Sequence, residues 1–163
     1  VPFKQLPSRD EFENAELSSL WAHIRVTDKN TYSLSEKKGF LKLQLLPANL
    51  SKVESPAFIG QRLRYRRGEI STKMYFLRKT ENEEAGLVLY KSEKAFVKFV
   101  LNKVDKLQYI DIISHKDSVQ TTIVHKLITS KNGLELKIIQ QENKFSFFYK
   151  YSCWWKLGRP AGS

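Results

Sequence analysis

Across residues 55–93 the polar and apolar positions change rhythm in a way that predicts strands separated by turns. Pro56 fixes φ and Gly60 can take positive φ, so residues 57–59 read as a short strand entering a tight bend. Ile70, Thr72, Met74 and Phe76 then alternate with Ser71, Lys73 and Tyr75, the two-residue period of a strand that buries one face. A polar turn at residues 80–84 follows, and Gly86 opens the run Leu87, Val88, Leu89, Tyr90. The stretch predicts a strand, turn, strand unit in fixed register.

The same rhythm fills most of the chain. Leu41, Leu43 and Leu45 alternate with Lys42 and Gln44, and Phe96, Lys98 and Val100 alternate with Val97, Phe99 and Leu101. Residues 109–113, 119–124, 134–139 and 145–149 are rich in β-branched and aromatic side chains and read as strands. Turns are predicted at 102–106, 115–118, 131–133 and 142–144. A strand and its turn thus recur about every 8–12 residues, the spacing of a sandwich or barrel. Residues 10–20 are the best helical candidate and hold at most a turn or two.

Composition narrows the class. At 163 residues and 41% hydrophobic content, the chain suffices for one domain with a substantial core. Its single cysteine, Cys153, excludes an internal disulfide and is compatible with the cytoplasm. No signal peptide, membrane span or zinc-ligand spacing is present in the sequence, which leaves localisation open. Residues 1–8, with Pro2 and Pro7, read as a linker from an upstream domain, and residues 9–163 as one β-domain.

The net charge of +11 raises nucleic acid as a partner, because Lys and Arg that neutralise phosphates dominate such affinity. Placement argues against it. Lys42, Lys73, Lys98, Lys137 and Lys150 fall singly on polar strand positions, where solvated faces and protected edges want them. Only residues 62–67, Arg-Leu-Arg-Tyr-Arg-Arg, form a cluster.

Four landmarks, in order, carry a resemblance. Arg9, Asp10, Glu11 and Phe12 followed by Leu17 and Trp21 open it, and Tyr32, Ser33 and Leu34 with residues 39–43, Gly-Phe-Leu-Lys-Leu, come next. Residues 55–62, Ser-Pro-Ala-Phe-Ile-Gly-Gln-Arg, and 83–87, Glu-Glu-Ala-Gly-Leu, complete it. This pattern resembles the C-terminal concanavalin A-like domain of glycoside hydrolase family 43, the β-xylosidase and α-L-arabinofuranosidase group. The chain departs from the family's run at Gln61, Leu63 and Tyr65, where arginine, glutamine and histidine are usual. Residues 151–158 resemble a shortened form of a later family hairpin, and the chain then stops short of the family's closing segment.

The resemblance implies an all-β, two-sheet antiparallel sandwich of the concanavalin A-like jelly-roll type, lacking its closing strands. It also implies a noncatalytic accessory role, with the sandwich packed on the catalytic propeller of the same enzyme and shaping the rim of a site for xylan or arabinoxylan oligosaccharides. Phe58, Gln61, Arg62 and Glu84 are the candidate interface residues. No cofactor is expected. Structural calcium occurs in such sandwiches, but no acidic ligand cluster stands out here.

Other chemistries find little material. Glycoside hydrolysis needs two carboxyl groups about 5–5.5 Å or about 6.5–9.5 Å apart, and Glu83 and Glu84, adjacent on a strand, would point to opposite faces. Glu83 is read as a solvated turn residue and Glu84 as a buried or interface hydrogen-bonding group. Trp154 and Trp155 are candidates for sugar contact in the alternative reading, an autonomous carbohydrate-binding module. His23, His115 and His125 are scattered, and Ser114, His115 and Asp117 form a turn rather than a triad. Asn49, Leu50 and Ser51 fit a glycosylation sequon, a pattern too common to signal secretion. No membrane partner is implied.

Overall fold

The structure, a computed structural model, describes residues 9–25, 29–76, 80–129, 133–151 and 154–157, with the side chains of 154 and 155 left aside. The chain divides into two compact units, Val1–Arg62 and Leu63–Ser163.

The first unit has little regular structure. A single 3-10 turn, Lys29–Thr31, leads into β1 (Tyr32–Ser33), which pairs antiparallel with β2 (Lys42–Leu43). The second landmark of the sequence pattern, residues 32–34 with 39–43, is thus a hairpin. The 41/43/45 alternation yields only that two-residue strand, with Leu43 and Leu45 exposed, and among the described residues no further strand pairs with it. Residues 10–20 form bends rather than helix. Asp10 organises them: one carboxylate oxygen accepts the Phe12 amide at 2.9 Å, and the other accepts the Trp21 indole N–H at 2.7 Å. Phe12, at φ 53°, stacks obliquely on Trp21 with ring centroids 5.7 Å apart. The opening Asp, Phe and Trp of the sequence pattern are therefore one mutually bonded knot.

The second unit is an antiparallel sandwich. Its strands are β3 (Arg67–Met74), β4 (Ala85–Ser92), β5 (Ala95–Val104), β6 (Leu107–Lys116), β7 (Val119–Ile128), β8 (Leu134–Gln141), β9 (Lys144–Lys150) and β10 (Trp154–Leu157). One sheet runs β10-β9-β8-β3 and the other β4-β5-β6-β7. Phe99, Leu101, Ile110, Ile112 and Ile128 meet Leu134, Leu136, Ile138, Tyr149 and Leu157 in the core between them. The Phe99 ring meets Phe147 edge-on at 5.3 Å.

Three expectations need correction. Strands β3 and β4 are not a hairpin: β3 pairs with β8 and β4 with β5, so the chain crosses between sheets at residues 75–84. Periodicity shows that a strand has a buried face but not which strand lies beside it. Residues 57–59 are irregular, and only Gly60 makes a bridge, to Ala22. A sandwich without its closing strands would leave its most hydrophobic late strand, with Phe145, Phe147, Phe148 and Tyr149, as an uncovered edge, whereas that strand, β9, lies between β8 and β10 with Tyr149 in the core.

Candidate functional site

The candidate interface run begins in the first unit. Gly60 and Ala22 exchange both backbone hydrogen bonds, at 2.8 and 2.9 Å, and the Phe58 carbonyl lies 3.2 Å from His23 Nδ1. Pro56 is buried and Phe58 half-buried. The Phe58 ring folds over Gly60 so closely that a Cβ there would lie 2.6 Å from it. Glycine at position 60 is thus explained by close approach rather than by positive φ. Gln61 and Arg62 that follow are exposed.

Exposure continues without interruption through residue 71. Within that stretch Leu63 is 51% and Tyr65 78% exposed, while the Arg66 and Arg67 side chains reach Glu142 at 4.0 and 3.1 Å. The sequence places Leu63 and Tyr65 in the basic cluster 62–67 and among the departures from the family pattern, without marking them as an exposed apolar pair. The signal that marks them is their combination: large apolar groups between arginines, in a segment whose neighbours are polar.

Glu84 belongs to the second unit, just before β4, and is itself exposed. Its Oε1 lies 2.5 Å from Lys98 Nζ, whose side chain is largely buried. Burial therefore falls on the lysine, whereas the reading from sequence put it on Glu84; Glu83 is the half-buried member of the two. Neither lies within a strand, so the opposite-face argument does not apply to them.

Trp154 and Trp155 start β10, opposite Lys150 and Tyr149 in register. Their side chains lie outside the described residues, as do Cys153, Gly158, residues 1–8 and the predicted turn residues 131 and 132.

One polar cluster escaped the sequence reading. Asp111, 4% exposed, sits in β6 on the face away from the core, directly opposite His125 of β7. His125 Nδ1 lies 2.7 Å from Asp111 Oδ1, and Asn102 Nδ2 donates to Oδ2. Tyr109 stacks on the imidazole at 4.1 Å. Cross-strand pairing of Asp111 with His125 could be found from sequence only once the β6–β7 register was known. Among the described residues no group of three His, Cys, Asp or Glu side chains is arranged to hold a metal.

With the sandwich and its motifs in place, the comparisons fix the class. The profile of the β-xylosidase C-terminal concanavalin A-like domain matches residues 9–162. The chain belongs to this family, the C-terminal domains of glycoside hydrolase family 43 enzymes. It is 32% identical over 125 residues to the non-reducing end α-L-arabinofuranosidase BoGH43B of Bacteroides ovatus, covering 77% of this chain and 21% of that protein. A xylan 1,3-β-xylosidase of a Vibrio species is 26% identical over 168 residues, covering 99% of this chain and 31% of that protein. The solved structure of the Bacteroides ovatus xyloglucan-locus GH43B superposes with a TM-score of 0.90 at 28% identity, covering 96% of this chain and 31% of that one. The chain spans between about a fifth and a third of the length of these relatives.

Proposed function

We propose that residues 9–163 act as one noncatalytic accessory domain of a family 43 glycosidase working on xylan or arabinoxylan oligosaccharides. The domain docks on the enzyme's catalytic propeller and shapes the rim of its active site. The uninterrupted exposure of residues 61–71, with Leu63 and Tyr65 between arginines, is the observation that carries the reading. Tyr and Arg are the residue types that dominate binding hot spots, and exposed Leu beside them is costly in water. The much greater length of the relatives supplies a partner for that surface within one polypeptide. Phe58 fixes the start of the run by packing over Gly60, while Gln61 and Arg62 supply polar contacts. Glu84 contributes through its pairing with Lys98.

The test is made in the full-length enzyme. Phe58→Ala, Arg62→Ala and Tyr65→Ala are each expected to lower its melting temperature or its turnover of aryl xyloside or arabinofuranoside. A loss of about 2 kcal/mol is expected at the strongest of the three positions. Unchanged stability and kinetics in all three would mean that the run serves the domain's own surface alone.

A further inference from the structure

Beside the end of β7 lies a concavity of about 260 Å³ lined by Lys126, Leu127, Ile128, Thr129, Tyr149 and Tyr151. It lies wholly within the second unit and shares no lining residue with the proposed docking run. Its floor is Tyr149, which is buried in the core, and one wall is Tyr151, 47% exposed. The two rings stand 6.0 Å apart at 42°, an aromatic corner whose open side is Tyr151 and whose back is closed by the buried Tyr149. Pockets for drug-sized ligands measure roughly 300–1,000 Å³, so this smaller space suits a single small ring. A pyranose matches it, with an apolar C–H face to lay on tyrosine and hydroxyls to meet Thr129.

Charge narrows the ligand further. Lys126 stands opposite Ile110 in register, on the parity of β7 that faces the core, yet remains exposed because β7 is an edge strand. Among the described residues it forms no ion pair, and no carboxylate lines the concavity. An inward lysine on an edge strand also discourages strand pairing, but that role requires no aromatic corner beside it. Sites for neutral sugars use carboxylates and amides to accept hydroxyl hydrogens, and this one offers a cation and a hydroxyl instead. We infer that the concavity is a subsite for a pyranose bearing a carboxylate, such as a uronic acid branch on a xylan chain. The xylan chain is taken from the substrate class proposed above, whereas docking on the propeller is not needed for the subsite and can fail independently.

The test is a calorimetric titration of the protein at low salt with xylotriose bearing a glucuronic acid branch and with unbranched xylotriose. The branched sugar is expected to bind about tenfold more tightly, an advantage that shrinks as salt is raised. Lys126→Gln is expected to reduce its affinity to that of the unbranched sugar, and Tyr151→Ala to weaken both about five- to tenfold. Lys144→Gln, at the exposed start of β9, is expected to change nothing. The proposal is overturned by equal affinity for the two sugars, by absence of binding, or by insensitivity to Lys126→Gln or Tyr151→Ala. An equal loss with Lys144→Gln would likewise sink it, because binding would then reflect diffuse positive charge.

Discussion

Two glycines in strands should respond to the same substitution with opposite signs. Gly86 lies in β4 opposite Val100 of β5, and a Cβ added there would stand 2.1 Å from the Phe99 carbonyl oxygen and 2.8 Å from Val100 Cα. Ordinary carbon–oxygen contacts are about 3.3–3.6 Å, so β4 would have to move by more than an ångström. Both obstructing atoms are backbone, in the strand whose neighbours fill the core, and cannot swing aside as a side chain would. Overpacking costs about 1–3 kcal/mol, and a shift of that size also weakens one or two ladder hydrogen bonds worth about 1 kcal/mol each. Replacing glycine by alanine returns about 0.4–1 kcal/mol through the unfolded chain, which leaves Gly86→Ala destabilising by about 3 kcal/mol. Gly68, in β3, has nothing within 4 Å of the same added atom. There only the entropic gain remains, so Gly68→Ala should stabilise by about 0.5 kcal/mol. Urea unfolding with linear extrapolation measures both, and calorimetry should show Gly86→Ala melting roughly 6–12 °C lower, at about 2–4 °C per kcal/mol. A Gly86→Ala protein within 0.5 kcal/mol of the parent, or shifted in the same direction as Gly68→Ala, would refute the packing argument. That outcome would leave the glycine of the Glu-Glu-Ala-Gly-Leu pattern without a structural reason.

His125→Ala leaves the buried Asp111 carboxylate with the Asn102 amide as its described partner, and should cost about 1–2 kcal/mol by urea unfolding, since the half-exposed imidazole gives water partial access. No change would mean that water satisfies Asp111 as well as the histidine does. Glu84→Gln removes the charge beside Lys98 and should cost about 1–2 kcal/mol by the same assay, without abolishing the full-length enzyme's glycosidase turnover. Abolished turnover in a variant that folds normally would restore Glu84 as a catalytic candidate.

The strands of the sandwich were legible because β-branched and aromatic residues concentrate in β5 to β9, but their ends were not. Turns were placed at residues 102–106 and 115–118, whereas the loops are the two-residue pairs Asp105-Lys106 and Asp117-Ser118. All four residues have positive φ, between 49° and 69°, as a type I′ hairpin requires. Such turns usually announce themselves with Asn-Gly or Asp-Gly. Here Lys and Ser take the second place, so the pattern marked a polar region without marking the reversal. Alternation failed for a different reason in β5 and β6. Phe99 and Leu101 face the core, yet Phe96 and Val100, of the other parity, are buried too. A strand buried on both faces in its middle presents a continuous apolar run, and period alone does not say which half faces which layer.

Charge was legible in its distribution and not in its consequences. That most lysines fall singly on polar strand positions follows from the sequence, and Lys73, Lys137 and Lys150 do stand on the face of the β8 sheet away from the core. Position alone could not separate these from Lys98, held beside Glu84 with little exposure, or from Lys126, on the core-facing parity of an edge strand without an ion-pair partner among the described residues. All five occupy strands and carry the same charge. What distinguishes them is which strand lies alongside and whether a carboxylate comes within reach, both fixed by pairing between segments distant in sequence. Asp111 illustrates the dependence: in isolation it is an acid within an apolar run, a poor strand residue, and only register with His125 and Asn102 makes its burial tolerable. The same register that supplies its partners turns Lys126, the next residue along β7, toward the mouth of the sandwich.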